Sequence, residues 1–517
     1  MSSILGVVAD TFGVAKPDWP DWAVTTFASL CVACLVLLLA DRYDGRVREG
    51  ATSSGEVSGK LAPSFRKFQV KYLSVYMVVM LADWLQGTNM YTLYQSYGVN
   101  VGTLFLTGFS SSAIFGTFLG LFVDKFGRRL GCLAFCVLEI IINTLEHFPS
   151  MGLLLAGRVL GGISTSLLFT AFESWMVSEH RRMGFPEAWL ASTFSLATVG
   201  NGIVAIIAGI MAQVAADRLG EIGPFQAAIA LTVIALVLLL FWRENYGGCD
   251  DAAVGAAAAA AAEAAHVNGN GAAAAAAPDG GGGAADSGHR HHQSLRSSIA
   301  AAYRCIATDA RVLLLGLVQS LFEGAMYTFV FMWVPTLMAV APGGRLPTGL
   351  VFSSFMVCVT VGGVLTSVML RRVGVEAGSA AVFAAAAAAM ALPAAAPRSF
   401  GAVLGAFLVL ETCVGAFYAC AGVMRARYLP DAYQGAIMNI FRLPLNVLVV
   451  VGTRVTDVAP PRTVFAVIAL WFGAAAVLQL RLWAMAAAGA GAGGGGAAAA
   501  APAPVAAAAG GEGKKEL

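Results

Sequence analysis

Apolar runs of about 20 residues follow one another along this chain from residue 22 to residue 484, and each is long enough to cross a hydrocarbon layer roughly 30 Å thick. Inside that layer no water is available to backbone N–H and C=O groups, so each run must close its own hydrogen bonds as a helix. Composition agrees: 58% of the residues are hydrophobic and only 12% are charged, where a soluble domain carries about 25%. A net charge of +2 gives no footprint for nucleic acid. The partner this composition fits is the lipid bilayer.

The first run, 22–40, follows Asp10, Asp18 and Asp21 and precedes Arg42, Arg46, Arg48, Lys60, Arg66, Lys67 and Lys71. That charge order is the reverse of a cleaved signal peptide, so an anchor helix with its N-terminus outside is expected. Twelve further runs cover 70–92, 100–122, 130–148, 151–178, 190–214, 223–242, 312–339, 348–370, 376–396, 400–424, 432–456 and 463–484; we number these core helices one to twelve. Lys125, Arg128, Arg129, Arg181, Arg182, Arg243, Arg371, Arg372, Arg425, Arg427 and Arg481 fall on one side, against Arg218, Arg345, Arg398 and Arg462 on the other. The C-terminus is therefore expected in the cytoplasm. Residues 245–300 and 487–517 are rich in Ala and Gly, with too few large apolar groups to offset ordering, and read as a disordered linker and tail. Cys31 and Cys34 form a C-x-x-C pair within an apolar run and read as small hydrophobes. His289, His291 and His292 sit in the linker, and no metal site or cofactor is expected.

The linker divides the core helices six and six, and the halves repeat one another. Gly87 through Tyr94 reads GTNMYTLY, and Gly324 through Phe331 reads GAMYTFVF. Phe109-Ser110-Ser111 returns as Phe352-Ser353-Ser354, and Arg128-Arg129 as Arg371-Arg372, both 243 residues later. Equal offsets are what a duplication predicts. The expected fold is all-α and polytopic, of the major facilitator superfamily type: two six-helix bundles plus one extra N-terminal transmembrane helix. Its expected parts are an anchor helix with a basic loop (1–65), a first bundle (66–244), the linker (245–300), a second bundle (301–486) and the tail (487–517).

Between core helices two and three, Gly120, Asp124, Lys125, Gly127, Arg128 and Arg129 match G-x-x-x-D-[RK]-x-G-R-[RK] at every specified position. Gly120 permits close helix approach and Gly127 a tight turn, while Asp124 and Arg128 suit contacts with helix ends. A turn that only set topology would need neither Gly120 nor Asp124. The second half keeps Arg371, Arg372 and Gly374 alone.

Polar residues inside a bilayer are costly, so each is a functional candidate. Core helix one carries Asp83 and Gln86, and core helix four Arg158 and Glu173. Helix seven has Gln319 and Glu323 at i, i+4, helix ten has Glu411, and helix eleven has Asn439, Arg442 and Asn446 at i, i+3, i+7, which makes one polar stripe. Glu139 and Arg454 read as packing charges. Structural ion pairing is the competing reading for each charge, above all for Arg158 and Glu173. Arg442 offers a fixed planar fork that suits oxyanions, and Asp83 or Glu323 is a candidate to take up a coupling proton. The same charges are compatible with internal pairing around a neutral substrate. No Walker loop, catalytic triad or glycosidase pair occurs at credible spacing, so an enzyme is not expected.

Several landmarks together resemble the molybdate-anion transporter family of the major facilitator superfamily. They include Asp83-Trp84-Leu85-Gln86-Gly87, Gly157-Arg158, Ala171-Phe172-Glu173 with Trp175, Phe185-Pro186 with Trp189, Glu244-Asn245-Tyr246, Leu321-Phe322-Glu323, and Phe441-Arg442 with Pro444-Leu445. The resemblance covers about residues 66–484 outside the linker. It implies uptake of molybdate, a small tetrahedral oxyanion, by alternating access, with the 120–129 loop holding the inner gate. A plasma-membrane location and a monomer are the accompanying expectations. Carriage of another solute, such as a sugar or organic anion, and a transporter-like receptor are the alternatives, since fold does not fix function. Because 250–295 reads as a flexible spacer, its deletion is expected to leave uptake per surface-exposed protein nearly intact; a large loss at normal surface abundance would show that the tract works.

Overall fold

A computed structural model describes residues 19–49, 62–116, 119, 123, 126–245, 300–430 and 434–492. Most of the expected linker, and the tail beyond residue 492, lie outside these residues. Besides a helical stretch at 300–308, thirteen α-helices are described: α1 Asp21–Glu49, α2 Ala62–Ser96, α3 Val101–Gly116, α4 Arg128–Leu145, α5 Met151–Arg182, α6 Glu187–Leu219 and α7 Gly223–Leu239, then α8 Ala310–Val340, α9 Thr348–Arg372, α10 Val375–Ala395, α11 Phe400–Tyr428, α12 Gln434–Val458 and α13 Pro461–Ala492. No strand occurs among the described residues. Helix α13 runs on to Ala492, past the expected end of the bundle at 486, because alanine has the strongest helix propensity of any residue.

Among the described residues, eight helices are long and apolar enough to cross a membrane: α1, α5, α6 and α8–α11, with α13. Helix α7 is apolar but shorter. The remaining four include α2, α4 and α12, the helices that carry Asp83 and Gln86, Glu139 and Asn143, and Arg442 and Asn446. Polar cargo is what lowers their hydropathy.

Packing repeats between the halves. In the first, α2 lies against α6 and α7, α3 against α5, and α4 against α5 and α7. In the second, α8 lies against α12 and α13, α9 against α11, and α10 against α11 and α13. Shifting every label by six converts one set into the other. Two seams join the halves, α6 on α9 and α3 on α12, and the same shift exchanges them. Lipid tails are as apolar as leucine, so contact surfaces rather than water exclusion hold such helices together. Stacked aromatics supply much of it: Trp175 on Trp242 at 3.7 Å between ring centroids, and Phe322 on Phe417 at 4.0 Å. Helix α8 starts at Asp309, whose Oδ1 accepts the Arg311 backbone N–H at 2.8 Å. The Arg311 guanidinium beside it holds the Asp309 carboxyl below the usual carboxylate range.

Between α9 and α11 the backbones touch. A Cβ on Gly362 would strike the Thr412 carbonyl, and one on Gly415 the Val359 carbonyl. Gly362→Ala is accordingly expected to cost about 1–3 kcal/mol by overpacking, read as a lower Tm in detergent. Gly363→Ala enters open space and should leave Tm unchanged or raised. Equal responses would mean that the contact is not tight.

Candidate functional site

In the loop before α4, Gly120, Asp124 and Lys125 lie outside the described residues, while Gly127, Arg128 and Arg129 are within them. Gly127 has φ +120°, a conformation L side chains rarely adopt, and a Cβ there would collide with the Glu244 carboxylate. That carboxylate accepts the backbone N–H groups of Arg129 at 2.7 Å and Leu130 at 3.0 Å, placing negative charge on the positive end of α4. The Arg129 side chain answers it at the other pole, donating to the carbonyls of Leu239 at 3.2 Å and Leu240 at 3.1 Å where α7 ends. Asn245 completes the joint: its carbonyl accepts the Arg128 N–H at 3.0 Å, and its amide donates to the Trp175 carbonyl at 3.2 Å. The basic half of the motif thus staples α4, α5 and α7 of one bundle to each other.

Deeper in the first half, the candidates separate. Arg158 is an ion-pair residue: its guanidinium meets Glu146 Oε1 at 2.7 Å, with side-chain exposures of 12% and 1%. Tyr94 donates its hydroxyl to the same oxygen at 2.9 Å, and Met90 Sδ lies 3.0 Å from the guanidinium. Gln86 is buried and donates to Glu139 Oε2 at 2.9 Å. Glu139 also accepts Ser164 Oγ at 2.6 Å and Asn143 Nδ2 at 3.3 Å. A residue read as a packing charge is therefore the point where α2, α4 and α5 share their polar groups. Asp83 is half-buried within electrostatic reach of Glu139. Glu173 is exposed, within reach of Tyr72 and Tyr76 on α2. Glu139, Asn143 and Glu146 stand at i, i+4, i+7, a one-face spacing akin to the i, i+3, i+7 of α12, and that spacing was the signal available for both acids.

In the second half, Gln319 donates to Glu323 Oε1 at 3.0 Å, one turn along α8. Glu323 lies within electrostatic reach of Arg425 and Arg442, and Tyr327 within reach of Glu323 and Arg442. Arg442 is exposed and Asn446 half-buried on α12, while the Asn439 side chain is not among those described. Among the described residues Arg442 makes no ion pair or hydrogen bond. Seven residues along the same face, Val449 packs with Leu445 on Phe331, against Phe105 and Phe109 of α3, so the face bearing Arg442 looks across the seam. Glu411 is buried on α11, within reach of Cys358 and Tyr418, and apart from the Glu323 and Arg442 pair.

The halves meet at the end opposite the basic loops, which we call the distal end. Phe331 packs on Phe105 at 4.9 Å and on Phe109 at 5.6 Å, and Tyr327 on Phe109 at 5.3 Å. Across the other seam, Gln213 Oε1 accepts the Gly349 N–H at 3.0 Å, and Ser353 Oγ donates to the Ile206 carbonyl at 2.8 Å. Asp83, Glu323 and Arg442 all lie on the basic-loop side of this closure. Among the described residues no three His, Cys, Asp or Glu side chains gather as metal ligands.

A family model described as sugar transporters with twelve transmembrane helices matches residues 46–275 and 284–417. Molybdate-anion transporters match over most of their length: that of Xenopus tropicalis at 31% identity, covering 78% of this chain and 82% of the relative, and that of Takifugu rubripes at 32%, covering 77% and 81%. The relative from Danio rerio is 31% identical and covers 83% and 86%. The chain belongs to the molybdate-anion transporter family. It is thus a multi-pass membrane transporter of the major facilitator type and not an enzyme. Solved structures show the same fold: a peptide transporter in complex with sulfate, at TM-score 0.59 and 13% identity over 82% of this chain and 94% of that one, and a mutant of the nucleoside transporter NupG, at 0.56 and 15% over 81% and 99%. The Arg158 and Glu146 pair is buried at both ends. Glu146→Gln strands a buried guanidinium and is expected to cost about 3–5 kcal/mol in thermal unfolding, whereas Glu173→Gln, at an exposed position, should stay within about 0.5 kcal/mol. Equal costs would sink that distinction.

Proposed function

We propose that this protein carries molybdate across a membrane by alternating access, with Arg442 as the cation that meets the oxyanion. One observation carries the reading. Of the two arginines among the substrate-site candidates, Arg158 is committed to Glu146, while Arg442, in reach of Glu323, makes no ion pair or hydrogen bond among the described residues and lies on a face that looks across the seam. Two parallel N–H donors at fixed spacing suit two oxygens of a tetrahedral dianion. Asn439 and Asn446, which share the stripe by sequence spacing, are the neutral donors in this reading, with Gln319 hydrogen-bonded to Glu323. A dianion arriving beside ionised Glu323 would meet like charge, and a proton taken up at Glu323, or at Asp83 across the path, removes it. Coupling to a proton follows from that charge balance. Glu411 is a further acid of the second half, apart from the Glu323 and Arg442 pair, and in this reading Glu173 faces the first half's share of the path while Gln86 supports it through Glu139. The Gly120 to Arg129 loop closes the basic end in the opposite state of the cycle. The remaining parts of the reading are a monomer in the plasma membrane, with the N-terminus outside and the C-terminus in the cytoplasm.

Uptake of labelled molybdate, competed by tungstate, sulfate or a hexose and normalised to surface protein, tests the substrate; competition by the hexose alone would overturn it. Arg442→Lys is expected to raise KM about tenfold, because an ammonium keeps the charge but loses the fork. Arg442→Gln should be worse. If Arg442 only neutralised Glu323, the pair of changes Arg442→Gln and Glu323→Gln would restore uptake, and that rescue would remove Arg442 from the binding site.

A further inference from the structure

Helix α1 is additional to the twelve that the repeat accounts for, and its attachments are unequal. Along its length it rides on the second half. Trp22 meets Phe400 edge-on at 4.6 Å, Ala23 and Thr26 stand beside Val351, Ser354 and Leu404, and Asp41 Oδ1 accepts Ser367 Oγ at 2.9 Å. To the first half it reaches from the residue just before its first turn: Trp19 Nε1 donates to Asp217 Oδ2 at 2.7 Å, near the distal end of α6.

Asp217 is not an isolated acceptor. Its Oδ1 takes Gln213 Nε2 at 2.9 Å, and Gln213 Oε1 in turn takes the Gly349 N–H at 3.0 Å. The chain of bonds therefore runs from α1 through two residues of α6 and back to α9, beginning and ending in the second half with the first half held between. On this stretch α6 and α9 touch so closely that a Cβ on Gly349 would strike the Gly209 carbonyl. A motion that parts the halves at the distal end separates α6 from α9, and with it α6 from the α1 that α9 carries.

We propose that α1 is a latch on the distal closure, with Trp19 and Asp217 as positioning residues that favour the state open toward the basic loops. The latch acts on conformation and not on the solute, so it is read without substrate, and its failure is separate from any failure of the molybdate assignment. The measurement is the distance between spin labels at Leu219 and Arg398, exposed positions at the distal ends of the two halves, by pulsed electron paramagnetic resonance on the full chain in nanodiscs. Trp19→Phe keeps an aromatic ring and removes the donor. It is expected to raise the ratio of distally open to closed protein about three- to tenfold, the worth of one hydrogen bond. Asp217→Ala should do the same, and the two together no more than either alone. Deleting residues 1–49 should reproduce at least the Trp19→Phe shift. An unchanged distribution in Trp19→Phe or in the deletion overturns the latch, as would fully additive effects of the two substitutions.

Discussion

Glu146 and Arg158 settle their charges on each other at 2.7 Å, in a place that lipid and helices leave almost without water. Hydrocarbon offers a carboxylate nothing, so its donors must come from the protein, and the same rule runs through the first half. Glu139 is met by an amide, a hydroxyl and a second amide, and Glu244 by the open N–H groups of α4. Those commitments tie three acids of the first half into its packing, although the second oxygen of Glu146 keeps no hydrogen-bond partner of its own. The second half is provisioned differently, with Glu323 within reach of both Arg425 and Arg442 and no salt bridge from Arg442 among the described residues. That contrast supports Arg442 on α12 as the cation proposed to meet the substrate.

The symmetry of the packing gives this asymmetry a stage. Both seams join equivalent helices of the two halves, and both are closed at the same end, one by phenylalanine rings and one by backbone contacts between α6 and α9. Rings that pack edge-to-face and a glycine laid on a carbonyl are contacts with little tolerance for partial displacement, so a seam of this kind is either engaged or released.

The helix count, the duplication and the basic loop were legible in the sequence because each is a one-dimensional pattern: run length, offset, and charge order. The i, i+4 bond from Gln319 to Glu323 was legible for the same reason. What escaped were partners that only three dimensions join. Glu146 stands at the last turn of its helix, where it reads as a loop residue, and nothing along the chain points it at Arg158 on the next helix. Glu139 reads as a packing charge until Gln86 and Ser164 arrive from helices before and after it. The docking place of α1 is equally silent in sequence, since its apolar flanks look alike until one of them meets α9. At the basic loop, helix-end contacts also come from Arg129 and from Glu244, over a hundred residues away, and no one-dimensional pattern joins those two.

The polar helices also constrain how the protein is made. An Asp or Arg at the centre of a nascent helix costs about 2.5–3.5 kcal/mol at the point of insertion, and α2 enters with Asp83 and Gln86 before α4, whose Glu139 accepts from Gln86, has been synthesised. It therefore has to linger at the translocon, or lean on α1, until later helices arrive to complete its polar contacts. Helix α12 faces no such wait, since α8 with Glu323 and Tyr327 is already in place when Arg442 emerges. The wait falls instead on α8, which brings Glu323 before α11 and α12 bring Arg425 and Arg442, so in each half the helix that enters first is the one that needs shelter until the others follow.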